Sequence, residues 1–423
     1  MNSVVNAQTV GRMSAAPADD ETVDVIVAGA GVVGVATAYA LARRGLSVAL
    51  VDRNPGPALG ASYANGAQLS YAYSDALGSP SLLRKLPSLA LGADPLFRLK
   101  AGFDLSLVDW GLRFLAGSTA GRSRAGTLAT LQLALESQQA MHALLARHPL
   151  AFGHTAAGKM HLYFDRAALA SAGEMVELKR RHGAVQQVLT AAEAIAIEPA
   201  LVGSKGLVGV VHSPQDEVGD PHRFSEQLVG VLRRDYGVRT VFSLDVQDAA
   251  LTSEGVTLLG PRGMAVRGRA LAVALGAQAP RFLARLGVCA PILPMKGYSF
   301  TATPGAGAPR VSLTDTARKL VFCQLSGQIR VAGVAELGER DPQLRPQRLA
   351  ALVAMARESL PDAADYSQLV GRWAGLRPMT PSSVPIIARP RPRLVLNIGH
   401  GMLGWTLAMG SAERAADLLL RPD

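Results

Sequence analysis

Residues 23–52, VDVIVAGAGVVGVATAYALARRGLSVALVD, decide the fold of this chain. The apolar run at 23–28 predicts a β-strand, and the glycine-rich segment 29–34 predicts a tight turn into a helix. The helical pattern ends near Gly45, which is typical of a glycine just past a helix C-terminus. A second apolar strand follows and ends at Asp52. The whole stretch therefore predicts a strand–helix–strand unit.

The glycine spacing G-x-G-x-x-G, with an acid after the second strand, predicts a dinucleotide site. Gly29 allows the tight turn, Gly31 lets the backbone approach a diphosphate at the helix N-terminus, and Gly34 lets the helix pack closely on the strand. Asp52 is placed to accept a hydrogen bond from a ribose hydroxyl. Glycines alone would be weak evidence, but their position between a strand and a helix favours dinucleotide binding over an ordinary turn.

The composition is that of a large folded protein rather than a disordered chain. Of 423 residues, 49% are hydrophobic and 18% are charged, which is enough for two or three domains with their own cores. The formal net charge of +10 would suit nucleic acid, an acidic membrane surface or anionic substrates. The arginines are scattered, however, and form no dense run. We therefore expect a mainly solvated basic surface.

The two cysteines, Cys289 and Cys323, are too few for a disulfide framework and lack CxxC spacing, so we expect reduced packing residues. No pair of histidines has metal-ligand spacing, and no metal site is predicted. No apolar run approaches the roughly 18 residues that span a bilayer, and no secretory signal is recognisable. We expect a cytoplasmic protein, or one bound peripherally to the cytoplasmic face of the inner membrane.

The chain predicts an α/β fold of two domains after a flexible N-terminal extension, residues 1–22. The first is a Rossmann-like dinucleotide-binding domain, a parallel sheet with a meander, because the opening strands must share a sheet with the last strand and helix. The second is an α+β substrate domain with a mixed or antiparallel sheet. We assign 23–80, 220–290 and 371–423 to the first domain, and 81–219 and 291–370 to the second.

Several other segments have a predicted local structure. The pair Asp220 and Pro221 predicts a helix start. Residues 375–381 predict a loop, and the glycines near 400 predict a turn into the last helix. The segments 82–86 and 97–100 mix apolar and basic residues, which is typical either of a surface that lies on an acidic membrane or of a cover over an active site.

Six segments together carry the pattern of a known family: 29–34, 62–70, DEVGD at 216–220, PMKGYS at 294–299, GLRPMTP at 375–381 and GHGMLGWT at 399–406. With them the chain resembles the bacterial D-amino acid dehydrogenases, FAD proteins of the D-amino acid oxidase superfamily. The resemblance covers residues 23–420, and its last two segments are far longer than a chance glycine motif.

The resemblance implies FAD-dependent oxidation of a D-amino acid, such as D-alanine, to an imino acid, which water converts to a 2-oxo acid and ammonia. A hydride would pass from the α-carbon to flavin N5, and the electrons would then pass to a quinone or another acceptor. Some relatives attach flavin covalently through Cys or His, but neither residue type stands in 62–66 or 375–381. We therefore expect non-covalent FAD.

The resemblance also assigns site residues. Arg377 would hold the substrate carboxylate bidentately, because a guanidinium offers a planar fork of donors. Tyr298 would give the substrate a second hydrogen bond. His400 would either contact flavin or substrate or brace the turn, and Gly401 and Gly404 would aim a helix N-terminus at the flavin. The expected FAD contacts are Gly29, Ala30, Gly31, Val32, Val33, Gly34, Asp52, Arg53, Ser62, Asn65, Gly66, Gln68, Val246, Gly276, Gly399, His400, Gly401, Leu403, Gly404, Trp405 and Thr406.

Alternatives to a D-amino acid dehydrogenase stay open. An oxidase or dehydrogenase of the same superfamily that acts on glycine, sarcosine or a D-proline derivative would have the same fold and the same arginine. A flavoprotein that binds nucleic acid would need positive charge gathered in one patch and binding that weakens steeply with salt. We expect no nucleic-acid partner.

The sequence departs from the family pattern in two motifs. Asp52 stands where many members have Glu, which is a chemically conservative change. At 381–383, Pro-Ser-Ser replaces the usual Pro-Asp-Gly near the expected site. The second departure leaves the exact substrate open.

Overall fold

The computed structural model describes residues 22–80, 97–100 and 104–421. Residues 1–21 of the predicted extension and the apolar–basic segment 82–86 lie outside these ranges. The described α-helices are α1 (Val32–Ala42), α2 (Leu105–Gly117), α3 (Ala120–Arg147), α4 (Arg166–Arg180), α5 (Ala191–Ile197), α6 (Pro221–Tyr236), α7 (Ala279–Arg285), α8 (Pro346–Ser359) and α9 (Gly404–Leu420). None of these helices is long and apolar enough to cross a bilayer.

The first sheet combines the beginning, middle and end of the chain. Its strands are β1 (Val23–Ala28), β2 (Val48–Val51), β9 (Arg239–Val241), β10 (Asp248–Leu251), β11 (Val256–Leu259), β12 (Ala265–Val273), β18 (Ile386–Arg391) and β19 (Leu394–Ile398). The parallel region runs in the order β9-β2-β1-β12-β19. β10 and β11 form an antiparallel meander with the first half of β12. The predicted Rossmann-like sheet with a meander is confirmed.

Helix α1 is positioned by its small and apolar residues. It is buried along nearly its whole length and packs against α6 and α9 as well as against the sheet. Gly45 follows it with φ of 85°, a left-handed conformation that glycine adopts freely after a helix end. The apolar core of this part of the molecule lies on both faces of the first sheet.

The second sheet is separate from the first and contains nine of the described strands. Its strands are β4 (Phe97–Leu99), β5 (Lys159–Tyr163), β6 (Gln187–Thr190), β7 (Gly209–Ser213), β13 (Leu293–Pro304), β14 (Ser312–Asp315), β15 (Leu320–Leu325), β16 (Gln328–Leu337) and β17 (Ala364–Met379). Its main order is β17-β13-β16-β15-β14-β5-β7-β6, with β4 beside β16. Two of its pairings are parallel and the others antiparallel, so the predicted mixed sheet is confirmed.

The long edge strand β17 differs from the prediction. The sequence predicts a loop at 375–381, but the strand continues to Met379. Gly375 pairs with Gly297 of β13, and Pro378 pairs with Pro294. β17 lies at the edge of the sheet, where proline is tolerated because the missing N–H need not join a ladder. The predicted domain boundary at 370/371 therefore falls inside one continuous strand.

The predicted helix start at Asp220 is confirmed. Its Oδ1 accepts hydrogen bonds from the N–H groups of His222 at 2.9 Å and Arg223 at 3.2 Å, and α6 begins at Pro221. An aspartate cap followed by a first-turn proline satisfies or removes the N–H groups that a helix start leaves unpaired.

Candidate functional site

The turn after β1 shows why it needs glycines. Gly29 adopts φ of 104°, and a Cβ there would lie 2.5 Å from the carbonyl oxygen of Ala274. A Cβ at Gly34 would fall onto the carbonyl oxygen of Gly29, so no larger residue could fit between helix and strand. Gly31 differs, because the nearest neighbour of a Cβ there would be the Ser62 hydroxyl at 3.6 Å. Its open side lets a ligand approach the backbone.

The N-terminus of α1 is available to an anion. The helix begins without a side-chain cap and has no acidic residue in its first turn. Val32 donates its N–H to Ser62 Oγ at 3.2 Å. Gly31 and Val33 are the partly exposed positions of a segment that is otherwise buried. N–H groups without intrahelical partners and the positive end of the helix dipole form a cradle that fits the diphosphate of a dinucleotide.

Asp52 lies beside this cradle at the end of β2. Its Oδ2 accepts from the N–H of Ala30 at 2.7 Å. Its Oδ1 accepts from the N–H and the side-chain amide of Asn54 at 2.8 and 2.9 Å. These bonds fix the carboxylate while leaving lone pairs for a ribose hydroxyl.

We expect Asp52→Ala to raise the Kd of FAD by about 10- to 30-fold, because a hydrogen bond to a charged acceptor contributes about 1.5–2 kcal/mol. Titration of the apoprotein with FAD measures this value. Asp24→Ala is the matched control, because Asp24 accepts from the N–H of Ser47 at 2.9 Å at the opposite end of the same sheet. Equal Kd values for Asp52→Ala and the unmodified protein would remove the ribose contact.

The loop 62–70 lies between the two sheets. Ser299 on β13 donates its hydroxyl to the carbonyl oxygen of Ala64 at 2.5 Å. Gln68 donates its side-chain amide to Ser312 Oγ on β14 at 2.6 Å. The loop ends in a short ladder, in which β3 (Gln68–Leu69) pairs with β8 (Glu217–Val218). One face of the second sheet is thus attached to the segment expected to hold FAD.

The conformation of this loop is also fixed from within. Asn65 Oδ1 accepts from the N–H of Ala67 at 2.9 Å, and Ala67 adopts φ of 57°. Gly66 backs onto Val321 of β15, where a Cβ would be 3.4 Å from the valine side chain. Asn65 and Gly66 therefore shape the loop, in addition to any contact with the cofactor.

Lys159 contacts the end of this loop, a role that the sequence does not predict. Its Nζ donates to Ser70 Oγ at 2.7 Å. The side chain is buried, and desolvation lowers its pKa to about 8. A single lysine in a strand has no sequence signal that would distinguish it from a surface lysine.

The last glycine turn follows β19. Gly399 and Gly401 adopt φ of 79° and 56°, and α9 then begins at Gly404 without a side-chain cap. Gly401, Leu403 and Gly404 are partly exposed, whereas the following residues of α9, 405–412, are buried. Thr406 accepts from the N–H of Ser70 at 2.9 Å, which places the start of α9 beside the end of the loop 62–70. This helix start fits an electron-rich group of a ligand.

Two residues near this turn that are expected to contact FAD have their side chains directed into the protein. His400 is buried and shares a hydrogen bond of 2.9 Å between its Nε2 and Ser411 Oγ of α9. Desolvation lowers the pKa of His400 to about 3, so it is uncharged at neutral pH. Trp405 donates its indole N–H to the carbonyl oxygen of Gly219 at 3.0 Å. This bond to Ser411 fits the bracing role, one of the two expected for His400.

Three further predicted contacts lie elsewhere along the first sheet. Gly276 follows β12 with φ of 56°, and a Cβ there would meet nothing within 4 Å. The guanidinium of Arg53 lies against the side-chain amide of Gln278, with Nη2 at 2.7 Å from its oxygen when the amide is oriented to accept. Val246 is partly buried against the core between β9 and β10. Gly276 and Arg53 thus stand at the carboxyl edge of the sheet, where such folds bind ligands.

Arg377 lies on the face of the second sheet that contacts the loop 62–70. Its guanidinium lies directly over Gly297. A Cβ added to Gly297 would clash with Cζ, Nη1 and Nη2 of Arg377 at the same short distance. Nη1 donates to the carbonyl oxygen of Val334 at 3.2 Å. No carboxylate of the described residues forms an ion pair with Arg377. Desolvation lowers the pKa of Arg377 to about 10, so it remains charged at neutral pH and is suited to an anionic ligand.

A β-bulge in β16 orients the guanidinium of Arg377. The register between β13 and β16 shifts between Lys296 and Tyr298, which leaves Val334 without a regular partner. Val334 adopts φ of 61°, an uncommon and strained conformation for a β-branched residue. The bulge directs its carbonyl oxygen to Arg377.

Tyr298 does not join Arg377. Side chains alternate along a strand, so Tyr298 faces the opposite side of β13 from Gly297. It is fully buried in the apolar core beneath α8, and its hydroxyl donates to Glu336 Oε2 at 2.8 Å. Burial raises its pKa well above the usual value. The structure therefore does not bring Tyr298 to the substrate side, and we leave it out of the proposed site.

The unusual Pro-Ser-Ser turn keeps the backbone conformation that a glycine would favour. Ser383 adopts φ of 63°, in the left-handed region. Its hydroxyl accepts from the N–H of Leu77 at 2.9 Å, and Thr380 donates to the carbonyl oxygen of Val384 at 2.9 Å. These side-chain bonds stabilise the turn that follows Arg377.

Comparisons with known proteins extend these observations. The family model described as "DAO: FAD dependent oxidoreductase" matches residues 24–418. The chain is 40% identical over 411 residues to D-amino acid dehydrogenase 2 of Ralstonia nicotianae, covering 94% of this chain and 96% of that protein. It is 38% identical over 400 residues to the D-amino acid dehydrogenase of Paramagnetospirillum magneticum, covering 93% and 94%. The crystal structure of glycine oxidase from Geobacillus kaustophilus is similar in fold, with a TM-score of 0.74, 22% identity and 95% of each chain covered.

Proposed function

The chain belongs to the DAO family of FAD-dependent oxidoreductases, and from this premise we propose that it oxidises D-amino acids to 2-oxo acids and ammonia. We further propose that it passes the electrons to a quinone. The names of its relatives, D-amino acid dehydrogenases at 38–40% identity, support the substrate class. The fold alone would equally suit an enzyme for glycine or another small amine, because a glycine oxidase shares it.

The observation that carries the proposal is the guanidinium of Arg377, which forms no ion pair with a carboxylate of the described residues. It lies on the sheet face that contacts the cofactor loop, and its described surroundings provide a carbonyl oxygen but no carboxylate. A cation in a partly desolvated position without an internal partner is stabilised by an external anion. The carboxylate of an amino acid supplies that anion in a geometry that matches the guanidinium fork.

The protein residues act mainly by positioning. FAD, when bound, supplies the acceptor for the hydride that leaves the substrate α-carbon as the amine nitrogen forms the C=N bond. Arg377 fixes the carboxylate, and Val334 and Gly297 fix Arg377. Holding the carboxylate limits which face of the α-carbon can turn toward the cofactor loop. His400 is uncharged and bonded to Ser411, so we assign it a bracing role rather than acid–base chemistry.

We expect the FAD to be non-covalent, so that acid precipitation releases a yellow supernatant. Cys323 touches the loop 62–70 by donating its thiol to the carbonyl oxygen of Gly66 at 3.1 Å. Burial raises the pKa of Cys323 to about 11, and a neutral thiol is a poor nucleophile toward flavin. The measurement is flavin absorbance in the supernatant and in the redissolved pellet. Flavin that stays with the polypeptide would contradict non-covalent binding.

The proposed quinone acceptor would be met at a membrane surface, and α2 has the features of a peripheral contact. Leu105, Val108, Leu112 and Leu115 form a stripe at helical spacing and are 72%, 46%, 64% and 46% exposed. On the buried side of α2, Trp110 donates its indole N–H to the carbonyl oxygen of Met379 at 2.8 Å, two residues from Arg377. An exposed apolar stripe on a basic protein fits the surface of an anionic membrane.

We expect the double variant Leu105→Asp with Leu112→Asp to lose about 100-fold or more of its partitioning onto vesicles with anionic lipid, because two buried leucines contribute about 3 kcal/mol or more. Activity with a soluble dye should be unchanged, whereas activity with vesicle-embedded quinone should fall. Val202→Asp is the control, because Val202 is 73% exposed but lies outside α2. Vesicle binding that is the same in all three proteins would rule out the α2 contact.

Steady-state turnover tests the proposed function. D-, L- and N-methyl amino acids are compared, with a quinone analogue or dye and with oxygen as alternative acceptors. We expect D-amino acids with the quinone analogue to give the highest kcat/KM. Preference for glycine or sarcosine, or for oxygen, would assign the chain instead to the amine oxidases of the same family.

A further inference from the structure

Two glycines form a flat floor beside Arg377. Gly375 of β17 and Gly297 of β13 are directly opposed in the register. Neither has a positive φ, so each could carry a side chain as far as the backbone is concerned. Both are instead covered by side chains from β17. We call this pair the glycine floor.

Arg377 and Trp373 share this floor. The guanidinium lies over Gly297, and the benzo ring of the Trp373 indole lies over Gly375, where a Cβ would collide with it. The Cα atoms of directly opposed strand residues are about 4.5–5.5 Å apart, so the two groups lie side by side. The sequence pattern Trp-x-Gly-x-Arg places all three β17 residues on one face.

Trp373 also stands on the cofactor side of Arg377. It pairs across the sheet with Ser299, whose hydroxyl donates to the carbonyl oxygen of Ala64 in the loop 62–70. The other two tryptophans are structural. Trp110 and Trp405 are 4% and 3% exposed and donate their indole N–H groups to backbone carbonyls, whereas Trp373 is partly exposed.

We propose that the Trp373 indole limits the size of the substrate side chain that the site accepts. This inference rests on the proposed function, in which Arg377 holds the substrate carboxylate. A substrate held there between guanidinium and cofactor loop must place its other α-substituents beside the indole. Because the ring already fills the space above Gly375, the site selects D-amino acids with small side chains, such as D-alanine, and disfavours bulky ones.

The test compares Trp373→Leu and Trp373→Phe with the unmodified holoenzyme. The kcat/KM values for D-alanine and D-phenylalanine are measured, and their ratio is the readout. We expect Trp373→Leu to shift the ratio at least tenfold toward D-phenylalanine, within the range that pocket size controls, and Trp373→Phe to shift it less in the same direction. Arg372→Ala is the control, because Arg372 is exposed on the opposite face of β17. An unchanged ratio in both Trp373 variants would overturn the inference.

A binding measurement separates this inference from the proposed function. Acetate and phenylacetate, which carry no amine to oxidise, are titrated into the oxidised holoenzyme while flavin absorbance is followed. We expect Trp373→Leu, and Trp373→Phe to a smaller extent, to tighten phenylacetate relative to acetate. If this shift occurs but no D-amino acid is turned over, the size limit set by Trp373 is supported and the proposed function is contradicted. If D-amino acids are oxidised but substitution of Trp373 changes neither the titrations nor the kcat/KM ratio, the proposed function is supported and the size limit by Trp373 is contradicted.

Discussion

Arg377→Met should lower kcat/KM for D-amino acids by about 30- to 1000-fold while leaving FAD content and melting temperature unchanged. Loss of a charge-assisted, bidentate hydrogen bond to a carboxylate in a partly dry site costs about 2–4 kcal/mol of transition-state binding. The fold should tolerate the change, because among the described residues it removes one hydrogen bond, from Nη1 to the carbonyl oxygen of Val334. Methionine keeps the apolar contacts of the arginine stem.

Arg377→Lys should recover only part of the activity, because an ammonium cannot supply two parallel donors. Arg372→Ala, an exposed arginine on the same strand, serves as the matched control and should behave like the unmodified enzyme. The kcat/KM is also measured for an amine that lacks a carboxylate. A similar fall for the amine and for D-alanine, or no fall for either, would show that Arg377 does not hold the carboxylate.

Gly297→Ala should lower kcat/KM by about 100-fold, although it adds a single methyl group outside the reaction itself. The Cβ would fall onto the guanidinium of Arg377, which must move by about 1 Å or more, and a displacement of that size costs about 100-fold in rate. Binding of FAD should be unaffected, because Gly297 lies on β13 and not on the loop 62–70.

Gly371→Ala is the matched control for this effect. Gly371 lies on β17 within the same sheet, and a Cβ there would meet Thr301 at an ordinary contact distance of 3.4 Å. We expect its kinetics to be unchanged. If Gly297→Ala is as active as Gly371→Ala, activity does not depend on the position of the Arg377 guanidinium over Gly297.

The sequence predicts the nucleotide side of the molecule well because its signals are local. The signals of residues 23–52 all fall in one continuous stretch, and the structure confirms its two strands and the helix between them. The same holds for the helix start at Asp220, where cap and first-turn proline are adjacent. Local chemistry alone determines these features.

The substrate side is less predictable because it depends on pairing between distant strands. Gly375 and the two prolines at 378 and 381 indicate a loop, but pairing with β13 makes 375–379 a strand. Once a strand is assigned, the spacing Trp-x-Gly-x-Arg shows that Trp373 shares a face with Arg377. A loop at 375–381 implies no such alternation, so the sequence does not indicate Trp373 as a neighbour of Arg377.

Tyr298 and His400 show a second limit. Alternation predicts that Tyr298 and Gly297 face opposite sides, but not which side faces the cofactor loop, and the structure turns Tyr298 under α8. The sequence predicts the glycine turn around His400, but the side-chain rotamer that joins the ring to Ser411 depends on the packing of α9. Residue type and position suggest both side chains, but tertiary packing decides their directions: it buries Tyr298 and joins His400 to Ser411, as the bracing role expects.

Anaerobic reduction of the bound flavin tests the central claim most directly, because it needs no assumption about the electron acceptor. The holoenzyme is mixed with D-alanine, with L-alanine or with ethylamine, and the visible flavin absorbance is followed. If Arg377 fixes the carboxylate as proposed, the two enantiomers point the α-hydrogen at the cofactor with amine and side chain in exchanged places, so a site with distinct positions for these two groups oxidises one enantiomer. We predict rapid bleaching by D-alanine and little or none by the other two. Bleaching by L-alanine or ethylamine at a similar rate, or none by any D-amino acid, would contradict the account.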